Sequence, residues 1–369
     1  MSSSESQPLS AAPPATLRGV SLILRLALIG VVIAGVTGLF LYAGGWFMPH
    51  ALSPATLIDT FELVNGQHPG FRRNHAKGVG ISGYFESNGR GVELSKAVVF
   101  VPGRVPVIGR IALAGGQPYA ADTARNVRSM ALLFKLPDGE EWRTGMNNIP
   151  VFVVNTAQGF YDQLLASTPD PATGKPDPAK MTAFLTKHPE FAKAIQLIGS
   201  QPVSSGFADS TYNSLNAFRF INARGDVALV RWAMVPAQPF EPFNMTNPGQ
   251  SDKNQLFDAL IAGIHKNALQ WHLMITISQP GDPIDDATLP WPPERQRVDV
   301  GTLTINQVES EDTSPARDIN FDPLVLPSGI AGSDDPLLSA RSAAYSVSFT
   351  RREGEHKDPS AVSSGDVGK

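Results

Sequence analysis

Twenty-two consecutive residues, Leu26 to Phe47, carry no charge, and no other feature limits this chain so strongly. Wound as a helix, the run is about 33 Å long, enough to cross the hydrocarbon core of a bilayer. A cleaved signal peptide is the competing reading, but its apolar region is shorter, about 7–15 residues, and ends at a small-residue cleavage site. The run therefore predicts an uncleaved membrane anchor over residues 20–48, with Tyr42 and Trp46 at the far interface. Arg18 and Arg25 lie on its N-terminal side, whereas Met48 to Phe71 holds acids and neither lysine nor arginine. Positive charge is retained on the cytoplasmic side. Residues 1–17, rich in Ser, Ala and Pro, are then expected to be a disordered cytoplasmic tail, with the bulk of the protein on the non-cytoplasmic, periplasmic side.

Beyond the anchor the chain has to fold without cysteine, because the 369 residues contain none. That excludes disulfides, thiolate zinc sites, iron–sulfur clusters and a thiolate-ligated haem. A net charge of −4 with no basic stripe argues against nucleic acid as a partner. Abundant glycine and proline, 33 and 31 residues, favour turns over a helical bundle. A short amphipathic helix is expected at Leu57 to Leu63. Strand patterns occupy Val98 to Val101, Val105 to Leu113, Ala131 to Leu136 and Val151 to Asn155, with a turn at Asp138-Gly139. Residues 158–201 read as helical, broken by a loop at 168–178. A hairpin pairs Ala217 to Ile221 with Val227 to Val235 across Asn222 to Asp226. A helix at Asn254 to His265, strands at Gln270 to Gln279 and Gly301 to Ile305, and a helix at Leu337 to Tyr345 complete the pattern, and residues 353–369 are polar enough to predict a flexible tail. Seven or eight strands with helices clustered late predict an α+β domain built on an antiparallel barrel.

Four segments carry candidate chemistry. Phe71-Arg72-Arg73-Asn74-His75 runs into a glycine-spaced stretch, Lys77-Gly78-Val79-Gly80-Ile81-Ser82-Gly83-Tyr84-Phe85. Arg110 is followed by Asp122-Thr123-Ala124-Arg125-Asn126-Val127-Arg128. Gly145-Met146-Asn147-Asn148 leads to Phe152 and Phe160. Arg341-Ser342-Ala343-Ala344-Tyr345 is followed by Arg352. Residues four apart share a helix face, so Arg341 would lie over Tyr345 and favour its ionised form. Taken singly, each segment has a plain structural explanation: a buried histidine satisfying its hydrogen bonds, or an arginine packed over a tyrosine on an exposed helix.

Together, in this order and spacing, the four segments resemble the core of the haem catalases, starting with His75-Ala76-Lys77-Gly78-x-Gly80-x-x-Gly83-x-Phe85. Leu256 to Gly263, Gln270-Trp271-His272-Leu273-Met274-Ile275 and Leu289-Pro290-Trp291-Pro292 extend the likeness, which covers roughly residues 60–352. Because the chain stops soon after Tyr345, it is most similar to the catalase-related peroxidases, a minimal haem-bearing core. The resemblance implies a haem catalase-like eight-stranded antiparallel barrel with surrounding helices over 52–352, and one haem, expected to be haem b. It assigns His75 as distal acid and base and Asn147 as the hydrogen-bond partner of peroxide, with Asn148 the alternative if the register slips by one. Tyr345 becomes the iron ligand, kept ionised by Arg341. Arg72, Arg110 and Arg352 become partners of the haem propionates, Phe152 and Phe160 the walls of the cavity, and Asp122 an acid on the access channel. Two departures stand out. Asn74 occupies a position where the family has valine, and Ala112 one where it has a serine supporting the histidine ring, so His75 is expected to lack a hydroxyl partner.

The activity so implied is a peroxidase that reduces hydrogen peroxide or organic hydroperoxides with a small organic electron donor, with weak catalase activity, acting as a monomer or homodimer. The alternatives are a true catalase, a lipid-hydroperoxide isomerase of the allene oxide synthase kind, and a haem-binding protein without turnover.

Overall fold

The computed structural model describes residues 19–43, 52–123, 125–170, 172–243 and 253–368. Residues 1–17, expected to be a tail, and Trp46 lie outside the described residues. The chain divides into two units, Met1–Leu52 and Ser53–Lys369. In the first, helix α1 spans Val20–Ala43. Its stretch Ser21–Tyr42 has a mean hydropathy of 2.3 and no buried residue, so it is long and apolar enough to cross a membrane. Length and composition fit an anchor and a signal sequence alike.

The second unit runs α2 (Pro54–Asn65), β1 (Gly78–Ser87), β2 (Gly103–Leu113), β3 (Arg128–Lys135), β4 (Glu141–Asn147), α3 (Ala157–Ala166), α4 (Pro178–Lys187), α5 (Pro189–Gly199), β5 (Tyr212–Asn213), β6 (Phe218–Ile221), β7 (Val227–Pro236), α6 (Gln255–Lys266), β8 (Leu269–Ile277), β9 (Arg297–Glu309), β10 (Ile330–Gly332), α7 (Pro336–Glu353) and α8 (Ser364–Val367). All strand pairings are antiparallel, in the order β10-β6-β7-β5-β4-β3-β2-β1-β9-β8, and a further β7–β8 pairing closes eight of the strands into a barrel. Closure removes the free edges that would otherwise invite pairing with other chains.

Side chains alternate across each strand, and here the two faces are chemically different. Inward from β3 and β4 point Met130, Leu132, Phe134, Trp142 and Met146, all in one buried core. Trp142 stacks on Phe134 at 4.8 Å and meets the edge of Trp232 at 5.1 Å, and Trp232 stacks on Phe218 at 4.1 Å. The indole N–H of Trp232 donates to Thr144 Oγ1 at 3.0 Å, whereas that of Trp142 is buried without a partner among the described residues. The outward rows are small or polar. Gly78, Ala112, Ser129 and Asn147 stand side by side across β1–β4, and Gly80, Arg110, Ala131 and Gly145 form the next row.

Two apolar runs that read as strands are not. Val98–Phe100 is a single 3₁₀ turn that buries Val99 and Phe100. Residues 151–155 bury Val151 and Val154 in an irregular segment without a strand partner. A short apolar run signals burial and leaves the backbone conformation open. The segment after Arg352, expected to be flexible, folds back on the domain. Val362 is fully buried, Ser310 Oγ donates to its carbonyl at 2.8 Å, and Glu355 accepts from the backbone N–H of Gly70 at 2.9 Å and from Arg73. Its polar side chains find partners on the barrel, Val362 reaches the core and Val367 packs against it. Truncation after Gly354 should therefore destabilise the domain by about 3 kcal/mol or more, read as a lower urea midpoint for the otherwise full-length protein.

Candidate active site

The outward rows of β2–β4 form one wall of a cavity, with Ala112, Ser129, Ala131, Gly145 and Asn147 on it. The helical wall comes from α7, whose Arg341, Ala344, Tyr345, Ser348 and Arg352 recur at helical spacing on one face. Helix α7 is started by Asp335, which accepts from Leu337 N at 2.9 Å, with Pro336 in the first turn. Leu57, Ile58 and Phe61 of α2 and Phe160 of α3 close the cavity from the side, where Phe160 lies 5.7 Å from Phe61 and 5.6 Å from Phe152. Counted out to its mouth the cavity encloses about 1230 Å³. Nine of the residues singled out from the sequence line it: His75, Asn147, Arg72, Arg110, Arg341, Arg352, Phe152, Phe160 and Tyr345.

His75 sits at φ 57°, in the left-handed region rare for residues with a side chain. Asn74 stabilises that turn: its side-chain oxygen accepts from the backbone N–H groups of His75, at 2.9 Å, and Gly115, at 2.8 Å. The imidazole is not without a hydroxyl partner, as the alanine at position 112 suggested. Ser129 Oγ lies 2.6 Å from His75 Nδ1. Ala112 and Ser129 are paired neighbours on β2 and β3, so the hydroxyl has moved one strand across. Burial first, then the positive fields of Arg110, Arg341 and Arg72, lower the histidine pKa to about 3. His75 is therefore neutral across the physiological range.

Asn147 presents a buried side-chain oxygen with no protein partner to the cavity. Asn148 instead exchanges hydrogen bonds with the backbone of Arg128, so that of the two asparagines Asn147 is the one lining the cavity. Arg341 and Tyr345 converge on Gly145. Arg341 Nη2 donates to the Gly145 carbonyl at 3.2 Å, and a Cβ on Gly145 would lie 3.4 Å from the Tyr345 hydroxyl. The other arm of Arg341 donates to Asn216 Oδ1, and Asn216 Nδ2 donates to Asp335 at 2.7 Å. Asp335 thus both caps α7 and, through Asn216, orients Arg341. Asp122 is no channel acid. It is buried 2.7 Å from the Lys77 ammonium and accepts from Leu256 N at 3.0 Å, tying β1 to the start of α6 away from the cavity. Three residues that sequence reasoning missed are Ser129, Asn216 and Glu311. Glu311 accepts from Arg110 and Arg72.

A family model described as Catalase matches residues 46–359. The chain belongs to the catalase family. Among its relatives, the catalase-related peroxidase of Synechococcus elongatus is 37% identical over 306 residues, 83% of this chain and 90% of that protein. The catalase-related peroxidase of Mycolicibacterium paratuberculosis is 32% identical over 308 residues, 83% of this chain and 97% of that protein. Full-size catalases extend further: a fungal catalase structure superposes with a TM-score of 0.69 at 22% identity, over 83% of this chain and 64% of its own.

Membership in the catalase family implies haem, and the residues of the cavity fit it. The Nε of Arg352 is buried without a partner. Burial, and then repulsion from Arg352 and Arg110, push Arg72 well below the usual arginine range, so this wall is short of anions. Two carboxylates at the edge of a flat porphyrin supply what is missing, and the small residues of the barrel wall leave room for its face.

Ser129→Ala should leave the buried imidazole nitrogen unpaired, lowering stability by about 1–3 kcal/mol, measured by urea unfolding of the haem-free protein. Stability should also depend on His75 through pH. Its folded pKa lies below the unfolded 6.5, so the unfolded chain binds more protons between pH 6.5 and about 3. The contribution, about 5 kcal/mol, is complete above pH 6.5 and lost as pH falls towards 3. In His75→Gln the part of the acid sensitivity between pH 6.5 and 4.5 should disappear, which unfolding free energies measured across that range will test.

Proposed function

We propose that the protein is a haem-dependent peroxidase that reduces hydrogen peroxide or organic hydroperoxides with electrons from a small organic donor. The observation that carries this reading is a single cavity bringing His75 and Asn147 from one wall against Tyr345 and Arg341 from the other. The relatives named catalase-related peroxidase, matched over nine-tenths or more of their length, support peroxidase over full-size catalase. Haem, in the b form, supplies the iron at which peroxide binds and the redox equivalents passed to it. Tyr345 would hold the iron through its phenol oxygen, with Arg341 favouring the ionised form. Arg72, Arg110 and Arg352 would grip the propionates through planar guanidinium–carboxylate pairs, and Phe152 and Phe160 would bound the porphyrin and the substrate space.

His75 is suited to move one proton. In the tautomer where Nδ1 carries the proton and donates to Ser129 Oγ, the neutral ring presents Nε2 as an acceptor. It can take the proton from peroxide and return it to the departing oxygen, while Asn147 hydrogen-bonds the substrate and holds it in line. We further propose that Ser21–Tyr42 is an uncleaved anchor and that the catalytic domain lies on the periplasmic side, on the strength of Arg18 before the span, Arg25 near its N-terminal end and the acidic stretch after it.

The full-length protein, purified in detergent from cells supplied with haem, should be coloured and should react with peroxide to give a spectrum that an aromatic donor returns to its starting form. A colourless protein that takes up no haem would sink this reading. His75→Ala should slow the reaction with peroxide by about 10²–10⁴-fold, and Tyr345→Phe should abolish a tyrosinate-ligated haem spectrum. Because His75 is already neutral, the bimolecular rate with peroxide should stay flat from about pH 5 to 8. An acid limb centred near pH 6.5 in stopped-flow data would contradict that assignment.

A further inference from the structure

Behind the arginine wall lies a carboxylate that the proposed chemistry does not use. Glu311 follows β9, its side chain is 4% exposed, and it does not line the cavity. It accepts from Arg110 Nε at 2.5 Å and Nη2 at 2.8 Å, and from Arg72 Nη1 at 3.1 Å. The second arm of Arg72 is occupied by the carbonyls of Ala316, at 2.9 Å, and Ile319, at 3.0 Å, and one arm of Arg352 by the carbonyl of Arg317. Each of the three guanidiniums is thus held from behind while it also faces the cavity. Burial by itself would raise the pKa of Glu311, but Arg110 and then Arg72 and Arg352 bring it down to about 2, so it is ionised whenever the protein is folded.

Among the described residues, two buried cations, Arg110 and Arg352, and a third that is largely covered, Arg72, share one buried anion, which leaves two positive charges without a buried counter-charge. Haem b carries two propionates. We propose that Glu311 is the resident counter-anion of the arginine clamp: it fixes the forked orientation of Arg72 and Arg110, allows the cations to stay buried before the cofactor arrives, and sets the remaining charge to that of a porphyrin dicarboxylate. This rests on the haem reading given above. Glu311 is a positioning residue, acting through the arginines and not on the substrate. Breaking a buried ion pair by removing one partner strands the other, so without Glu311 the propionates alone would have to neutralise the three guanidiniums.

The test is Glu311→Gln in the full-length protein, with Glu309→Gln on the exposed neighbouring position as control. In the haem-free wild type the clamp is already partly neutralised, whereas in the variant only the propionates can do so. Loading with haem should therefore raise the melting temperature of Glu311→Gln at least twice as much as it raises that of the wild type, by the linkage of binding to stability. The ferric–ferrous midpoint potential of the loaded variant should also be higher, because a negative charge beside the porphyrin edge has gone. Glu311→Asp, which keeps the charge, should leave the potential near the wild-type value. If Glu311→Gln folds only when haem is supplied, that too supports the proposal. Equal gains in melting temperature with an unchanged potential overturn it. A wild-type protein that takes up no haem overturns instead the reading of the site on which the proposal rests.

Discussion

The side-chain alternation of β1–β4 is the constraint on which the rest depends. One register puts Met130, Leu132, Phe134 and Trp142 into the barrel and Ser129, Ala131, Gly145 and Asn147 onto its outside. A slip of one residue would exchange the two sets, burying the polar row and exposing the aromatics. The aromatic packing that stabilises the barrel and the flat, small-residue wall of the cavity are therefore one structural fact seen from two sides. The energy resides in the interior, and the chemistry is laid out on the exterior by the same ladder of hydrogen bonds.

That ladder also explains what could be read from the sequence and what could not. His75, Asn147, Tyr345 and the arginines lie in local motifs, and each occupies the cavity those motifs implied. The helical spacing of Arg341 and Tyr345 was visible because both belong to α7. Ser129 was not visible, because its relation to His75 depends on which strand lies next to β2. Only the pairing of Ala112 with Ser129 reveals that a hydroxyl lost from one strand is supplied by its neighbour. Glu311 is 201 residues from Arg110 along the chain and belongs to no periodic pattern, so charge composition alone could not couple them. The final segment misled for the opposite reason. Its polar composition is genuine, but Val362 and a set of backbone hydrogen bonds fasten it to the barrel.

Electrostatically the site is assembled from charges that could not be buried separately. Arg72, Arg110, Arg341 and Arg352 line one cavity, and the first three of them help to depress the basicity of His75, so that the imidazole stays neutral and does not add a further cation. Glu311 offsets the cluster at one end. Asp335, through Asn216, steadies Arg341 at the other, and there the same carboxylate starts the helix that carries Tyr345. Helix placement and side-chain orientation on the Tyr345 wall are consequently coupled, and neither can shift alone.

Asn74 couples two stretches of backbone beside the cavity. Its one amide oxygen secures two backbone N–H groups and holds His75 in a left-handed turn that an ordinary residue avoids at about 1–3 kcal/mol. A valine there could not accept either hydrogen bond. One amide oxygen is thereby a single point of failure: a change at position 74 alone would loosen the turn that presents His75 and the chain at Gly115 together.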